Sequence, residues 1–207
     1  MIIKQTESTY TPVPAGAHVA RCYGLVDLGT QPSANPQFKP QRKGLLLFEV
    51  PGETITNGTE TRPMGISHFL NAYLGSSRKP SKTALFLTAW RGKAFTEQEL
   101  QGFDLANVVG APCLLNIVHE EKDGKVREVI ASISPLPKGM VCPVMVNKSV
   151  KYEISQGKNE TYNNLAPWQQ TMISKCLEWT TPQGEDADSD IDAAAAEIDN
   201  KDSQMPF

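Results

Sequence analysis

The sequence predicts a mainly β fold, and three observations support this prediction. The first is a series of short stretches rich in strand-forming residues, each bounded by Gly, Pro or Asn-Gly turn signals. The second is a single helical stretch between the third and fourth of these strands, and the third is a closing hairpin. The chain has 207 residues, of which 40% are hydrophobic and 21% charged. This composition suits one globular domain with appendages.

Local turn and bulge signals define the predicted strands. Gly24 interrupts the first strand and predicts a bulge or sharp bend. Pro51-Gly52 is expected to end the second strand, and Asn57-Gly58 then predicts a tight hairpin into the third. Asp123-Gly124 predicts the turn between the last two. The five predicted strands are 17–28, 44–50, 62–73, 112–119 and 125–133.

The helical stretch follows the third strand. Ser81 is a good N-cap, and Gly92 lies where a left-handed C-cap belongs, so a helix is predicted over 81–90. Three strands, a helix and a two-strand hairpin form the chain order of the OB-fold, a five-stranded Greek-key barrel. SH3-like barrels lack this helix, and ferredoxin-like folds begin with a strand and a helix. We therefore expect an OB-fold barrel with a helix between strands 3 and 4.

Composition divides the chain into three parts. Residues 1–140 are expected to form the OB-fold domain. Residues 141–182 form an extension with a strand or extended arm over 144–154 and a helix at about 165–179, packed against its own barrel rather than against a second protomer. Residues 183–207 have almost no large apolar side chains and are expected to be a disordered acidic tail.

Charge is distributed unevenly, although the formal net charge is only −3. Residues 183–207 hold eight acids and one base, a net charge of −7, whereas residues 1–182 hold 19 bases and 15 acids, a net charge of +4. Within the body, residues 39–93 hold nine bases against three acids. The near-neutral total therefore conceals a basic body and an acidic tail.

Several classes of protein are excluded by the sequence. Apolar runs are too short to span a bilayer, and the N-terminus lacks the pattern of a secretion signal, so neither a membrane nor an exported protein is expected. Free buried thiols in an intracellular protein are favoured, because no Cys-x-x-Cys occurs. The scattered cysteines are Cys22, Cys113, Cys142 and Cys176.

No catalytic constellation is recognisable in the sequence. His18, His68 and His119 lack the spacing of a metal site, and there is neither a Gly-rich phosphate loop nor a Gly-x-Ser-x-Gly motif. The acidic run of the tail is more typical of a solvated segment than of a cation site. The sequence therefore predicts a protein that is not an enzyme and has neither a metal nor a cofactor.

Aromatic residues are interleaved with the basic residues of 39–93. Cationic side chains neutralise phosphates, and planar rings stack on unpaired nucleobases without regard to their identity. In an OB-fold, strands 2 and 3 and the adjoining loops form the ligand face. We therefore predict a single-stranded DNA interface there. The predicted DNA-binding residues are Tyr23, Phe38, Arg42, Lys43, Arg62, Phe69, Tyr73, Arg78, Lys79 and Lys82.

Core packing is the alternative role for the aromatic residues. Phe48 lies in an apolar run, and Phe86 and Trp90 share one stripe of the predicted helix, so core packing is favoured for these three rings. For the four rings among the predicted DNA-binding residues, base stacking and packing both remain open.

The C-terminal segment carries a second predicted interface. An acidic segment leads to an apolar Met-Pro-Phe sequence and a carboxylate. A ring beside a carboxylate fits a hydrophobic pocket rimmed by Arg or Lys, and the upstream acids steer the encounter. The predicted partner-binding residues are Asp199, Asp202, Met205, Pro206 and Phe207.

Two resemblances extend this interpretation. The tail resembles that of bacterial single-stranded-DNA-binding proteins, whose acidic linkers end in an acid-rich tip with Pro-Phe last. The body is instead similar to bacteriophage single-stranded-DNA-binding, or replication-accessory, proteins. The matching stretches are Tyr10-Thr-Pro-Val-Pro-Ala-Gly16, Arg21-Cys-Tyr-Gly-Leu-Val-Asp-Leu-Gly-Thr30, Trp90-Arg-Gly-Lys-Ala-Phe-Thr-Glu-Gln-Glu-Leu100, Gly110-Ala-Pro-Cys-Leu-Leu-Asn-Ile-Val-His119, Ser132-Ile-Ser-Pro-Leu-Pro-Lys-Gly-Met140 and Leu165-Ala-Pro-Trp168.

The resemblance implies an OB-fold that binds single-stranded DNA without sequence specificity during phage DNA replication, recombination or repair. It also implies recruitment of a polymerase, helicase, primase or nuclease through the tail, in the cytoplasm of the infected bacterial host. Whether the protein forms a homo-oligomer is left open. The alternatives are a protein-interaction or scaffold module with the tail as a solubility device, an RNA-binding OB-fold and, more remotely, a metal-dependent nuclease.

Overall fold

A computed structural model describes residues 10–33, 35–122 and 124–180. The regular structure in this part of the chain is mainly β, with several short helices. The strands are β1 Gly16–Gln31, β2 Gln41–Asn57, β3 Glu60–Asn71, β4 Pro112–Lys122, β5 Lys125–Ser134 and β6 Val150–Tyr152. The helices are α1 Lys82–Arg91, α2 Glu97–Gln101, α3 Glu160–Asn163, α4 Pro167–Ile173 and α5 Leu177–Thr180, with 3₁₀ turns at Leu105–Val108 and Ile154–Gln156.

Five of the strands form one curled antiparallel sheet in the order β3-β2-β1-β4-β5. The short β6 pairs with β1 in parallel. The two edge strands, β3 and β5, contact each other, and α1 contacts both of them, so the sheet curls around this helix. The prediction of a mainly β fold with a helix between the third and fourth strands is confirmed.

The bulge predicted at Gly24 is confirmed, and it changes which side chains face which side of the sheet. The register of β1 against β2 shifts between Cys22 and Gly24, and again between Asp27 and Gly29. Cys22 packs on the inner face of the sheet, whereas Val26 packs on the outer face. A single long strand therefore contributes to two cores.

The prediction that Pro51-Gly52 ends the second strand is wrong. β2 continues to Asn57, because an irregularity between Val50 and Thr54 accommodates the Pro-Gly pair within the strand. A bulge tolerates proline, which lacks the N–H group that a regular ladder requires. The hairpin expected at Asn57-Gly58 is confirmed, with Gly58 at a φ of 64° and Asn57 paired with Glu60.

The caps predicted for α1 are confirmed. The Ser81 side chain accepts a hydrogen bond from the Ala84 N–H, and Gly92 ends the helix at a φ of 68° with its N–H bonded to the Thr88 carbonyl. Trp90 is buried at the end of the helix, and its Nε1–H donates to the Pro112 carbonyl oxygen at 3.0 Å. These contacts fix α1 against β4.

Two hydrophobic cores lie on opposite faces of the sheet. The inner core includes Phe48 of β2, Ile66 of β3 and Leu87 of α1. The outer core includes Leu45 of β2 and Ile173 of α4. The sheet is therefore buried on both faces along β1 and β2, by α1 and its neighbours on one side and by the C-terminal extension on the other.

The extension differs in detail from its prediction. The helix expected at 165–179 is two short helices, α4 and α5, separated by a turn at 174–176, and α3 precedes them without having been predicted. Pro167 is the first residue of α4, as its missing N–H group suggests. Packing of this segment against its own sheet is confirmed, since Ile173 is fully buried in the outer core.

The acidic tail, 183–207, with its predicted partner-binding residues, lies outside the described residues. In the part of the chain that the structure does describe, no helix combines the length and the apolar character needed to cross a membrane. The four cysteines are free thiols, as predicted, and all but Cys142 are buried. Burial raises the pKa of the Cys22 thiol to about 12, which keeps it protonated and unreactive.

Candidate nucleic-acid interface

The outer face of β3 is an accessible part of the outer sheet surface. Direct pairing with β2 places alternate β3 residues opposite Leu45 and Leu47, which belong to the outer core. Directly paired residues of an antiparallel ladder share a face of the sheet. We call the β3 residues of this row the β3 strip: Gly65, Ser67, Phe69 and Asn71. All are exposed except the half-buried Ser67.

Phe69 is the aromatic residue of the β3 strip and is 47% exposed. Its ring centroid lies 6.1 Å from that of Trp168, the second residue of α4, with the ring planes tilted by 59°. Trp168 is itself 44% exposed. The extension therefore adds an aromatic wall to the β3 strip.

Lys43 and Arg42 lie near the Asn71 end of the strip, but their surroundings differ. Lys43 pairs with Asn71, so it belongs to the same face as Phe69. The Arg42 guanidinium donates from Nη2 to Asp27 Oδ2 at 2.7 Å, and this hydrogen bond raises the pKa of Arg42. The Asp27 carboxylate compensates the charge of Arg42, so Lys43 is the better placed of the two to neutralise a phosphate.

Tyr23 and Arg62 lie at the Gly65 end of the strip. The β1 bulge contains Tyr23, whose hydroxyl would lie 3.8 Å from a Cβ placed on Gly65. Tyr23 is half-buried against the outer core, and burial raises its pKa while the nearby Arg62 charge lowers it. The Tyr23 ring is therefore chiefly a packing residue, whereas Arg62 is exposed.

The loop between β3 and α1 presents Arg78 and Lys79, both exposed. Two reciprocal backbone hydrogen bonds between Ser76 and Lys79, of 3.0 and 3.1 Å, close the loop. A Cβ on Gly75 would lie 2.4 Å from the Lys79 carbonyl oxygen, so only glycine fits this turn. The two cations therefore lie on a tight turn rather than on a long, freely moving loop.

The remaining predicted residues lie at the same end of the sheet. Phe38, in the β1–β2 loop, is 45% exposed and follows a turn in which its N–H donates to the Asn35 carbonyl. Tyr73 is half-buried, and its carbonyl accepts a hydrogen bond from the Ser81 hydroxyl. Lys82 is exposed on the first turn of α1.

The predicted residues therefore fall into two groups. Lys43, Phe69 and the loop cations lie toward the Asn71 end of β3. Tyr23 and Arg62 lie beyond the Gly65 end, separated from Asn71 by roughly 20–30 Å of extended strand. Packing was the favoured role for Phe48, Phe86 and Trp90, and it is confirmed: the first and last are buried in the inner core, and Phe86 packs against it.

One acid on the outer face, Glu49, is fully buried. Its carboxylate accepts hydrogen bonds from the Val146 N–H at 3.0 Å, the Asn147 N–H at 2.8 Å and the Asn147 Nδ2 group at 2.8 Å. The Arg21 guanidinium holds the neighbouring part of the extension by donating a hydrogen bond to the Pro143 carbonyl oxygen at 3.0 Å. The negative charge nearest to Gly65 on β2 is thus covered by the extension.

Sequence reasoning missed two features of this surface. One is the exposure of Trp168, for which the only signal in the sequence is its place beside Pro167, at the helix start. The other is the contact between Glu49 and the extension. It joins residues 97 and 98 positions apart, and no local sequence pattern predicts such a contact.

No protein-family model matches this chain, and no curated protein matches it either.

Proposed function

We propose that this chain binds single-stranded DNA without sequence specificity, and that its curled sheet is an OB-fold barrel. The strand order supports the second part of the proposal. An OB-fold has β1 at the centre, paired with β2 on one side and β4 on the other, with β3 and β5 meeting where the barrel closes. The observed order, β3-β2-β1-β4-β5, is that arrangement opened between β3 and β5.

The exposed Phe69 ring on the outer face of β3 is the observation that carries the DNA-binding proposal. It lies on the face that OB-folds use for ligands, with Lys43 two residue pairs away and Arg78 and Lys79 on the following loop. A ring supplies stacking worth about 1–3 kcal/mol per base, and cations supply the salt-dependent attraction to phosphates. Neither interaction distinguishes one base from another.

The cellular role follows from the resemblance to bacteriophage proteins. We propose that the protein protects single strands during phage DNA replication, recombination or repair in the infected bacterium, and that it is not an enzyme. The acidic segment 183–207 recruits replication or recombination proteins and competes with DNA for the basic surface when no strand is bound.

A titration against three labelled polymers tests the proposal. Poly-dT, duplex DNA and single-stranded RNA of equal length are added to the full chain at two salt concentrations. We expect strong preference for poly-dT and a steep loss of affinity at the higher salt.

The other outcomes point to the alternatives. Preference for RNA would favour an RNA-binding OB-fold, and equal binding of all three polymers would indicate a surface that attracts any polyanion. Absence of binding at low salt would sink the proposal and favour a protein-interaction module.

A further inference from the structure

Two exposed rings from separate parts of the chain meet at one place on the surface. Phe69 belongs to an edge strand of the sheet, whereas Trp168 belongs to the C-terminal extension. Their centroids are 6.1 Å apart, yet each side chain keeps more than two-fifths of its surface exposed, at 47% and 44%. Ring pairs that serve only packing are covered on most sides, as Phe48 and Trp90 are in the inner core, with exposures of 0% and 5%.

The position of Trp168 is fixed by the packing of α4. Ile173 anchors the helix in the outer core, and the Gln31 Nε2 group donates to the Met172 carbonyl at 3.1 Å. At the other end, the Gln170 Nε2 group donates to the Leu165 carbonyl at 2.9 Å, which closes the turn before the helix. The tryptophan is therefore carried by a backbone that is held at both ends, which reduces the entropy lost on binding.

We propose that Phe69 and Trp168 form a binding site for one unpaired nucleobase, so that the extension is part of the DNA-binding surface. This inference rests on the proposed function. The 59° tilt between the rings makes an open angle. A base that stacks on the exposed face of Trp168 meets the ring of Phe69 with its edge, an arrangement that aromatic groups favour.

The surroundings of the two rings suit a nucleotide better than a protein surface. Asn71 is exposed and Ser67 half-buried in the same row of β3, and Lys43 pairs with Asn71 about 7 Å along the strand from Phe69. Protein docking sites are larger and more continuously apolar. Two rings among polar groups, with one cation two residue pairs away, match a planar base attached to a phosphate.

Trp168 provides its own optical probe. Of the three tryptophans, Trp90 is 5% exposed and Trp179 is half-buried, so Trp168 is the most accessible to a quenching base. Titration of the full chain with a short oligo-dT should quench tryptophan emission, and Trp168→Phe should remove most of the quenching. The matched variant Trp179→Phe should leave the quenching in place.

Affinity measurements on three variants complete the test. Trp168→Ala should weaken oligo-dT binding about 5- to 150-fold, the effect of losing one stacked base, and Trp168→Phe should restore most of the affinity. Leu85→Ala removes an apolar side chain that is 55% exposed on α1, and it should change nothing. Thermal unfolding of each variant shows whether the fold is intact.

Failure of this inference is distinguishable from failure of the proposed function. Suppose that Phe69→Ala weakens oligo-dT binding, whereas Trp168→Ala leaves the affinity unchanged and Trp168→Phe leaves the fluorescence quenching unchanged. The proposed base site is then wrong, and DNA binding stands. If the folded wild-type chain binds no oligo-dT, the proposed function itself fails. If Trp168→Ala lowers the melting temperature without weakening oligo-dT binding, the ring pair serves only as a packing contact between α4 and β3.

Discussion

Two neighbouring residues of β3 show how the two faces of the sheet differ. His68 points inward, where its ring stacks on Phe86 with a centroid distance of 4.0 Å and an angle of 8°. Phe69 points outward, where its ring contacts Trp168 at one side and remains nearly half exposed. The inner ring has its stacking partner within the chain, whereas the outer ring has a face left for a partner from solution.

The surroundings of Arg91, a cation packed against two rings, extend this comparison. The Arg91 guanidinium lies 4.4 Å from the Phe95 ring centroid and 5.1 Å from that of Phe103, and it forms an ion pair with Glu99. Its side chain is 13% exposed. Arg91 counts toward the basic stretch of 39–93, but its ion pair and its ring contacts lie within the fold. The composition of a segment therefore does not distinguish cations that stabilise the protein from those that are available to a ligand.

The largest expected effect is on folding stability, which acidification should lower through His68 on the inner face. Burial lowers the pKa of His68 to about 4 from an ordinary value near 6.5, so the folded state favours the neutral ring. The stabilisation is fully present above pH 6.5 and is lost as the pH falls toward 4, by about 3 kcal/mol.

Urea unfolding of the wild type and His68→Phe at pH 7, 6 and 5 measures this effect. The wild type should lose stability over this range more steeply than the variant. Parallel pH profiles would show that His68 is not held neutral in the folded state.

On the outer face, the largest expected effect is on binding. Phe69→Ala should weaken poly-dT binding by about 1–3 kcal/mol, because one stacked base loses its ring. Stability should change by less than about 1 kcal/mol, since nearly half of the side chain is already in water. Fluorescence anisotropy with labelled poly-dT measures the affinity.

Val126→Ala is the matched control for Phe69→Ala. Val126 lies on the other edge strand, β5, and is 50% exposed, so its loss should leave poly-dT binding unchanged. Equal effects of the two variants would mean that the outer face of β3 has no special role.

The cations of the β3–α1 loop, Arg78 and Lys79, are expected to contribute to the salt dependence of poly-dT affinity. Arg78→Ala and Lys79→Ala should each weaken poly-dT binding modestly and reduce the slope of log affinity against log salt by about 1. Lys151→Ala is the control, because Lys151 is exposed on β6, which pairs with β1 away from β3. Unchanged slopes in both loop variants would remove this loop from the binding surface.

The smallest effect is expected from the acidic segment. Removal of 183–207 should tighten poly-dT binding several-fold at low salt, because seven net negative charges no longer compete for the basic surface. Screening should abolish the difference at high salt. A full-length variant with the segment's acids replaced by Asn and Gln should behave like the truncation, and unchanged affinity in both would contradict the competition.

Local chemistry explains which parts of this structure the sequence predicts. Gly24, the Asn57-Gly58 hairpin and the caps at Ser81 and Gly92 each act within a few residues, so the chain order of strands and helix follows from them. Pro51-Gly52 misleads because β2 pairs with β3 before and after the irregularity, at Val50 and at Thr54, which keeps the strand together. Here tertiary pairing outweighs a strong local turn signal.

The candidate site is less predictable because it depends on distant contacts. The positions of Lys43 and Phe69 on one face follow from the strand register, which the alternation of side chains suggests. The approach of Trp168 to Phe69 joins residues far apart in the chain, and the Arg42–Asp27 ion pair depends on the β1–β2 register. Neither contact has a signature in sequence spacing.

The covered carboxylate of Glu49 has a consequence for the order in which the protein is completed during synthesis. β2 leaves the ribosome early, but the groups that satisfy Glu49 follow 97 and 98 positions later. Until then the carboxylate must stay hydrated, and the outer leucines of β2 lack their cover from α4. The outer face of the sheet can therefore be completed only after residues 146–173 have been synthesised.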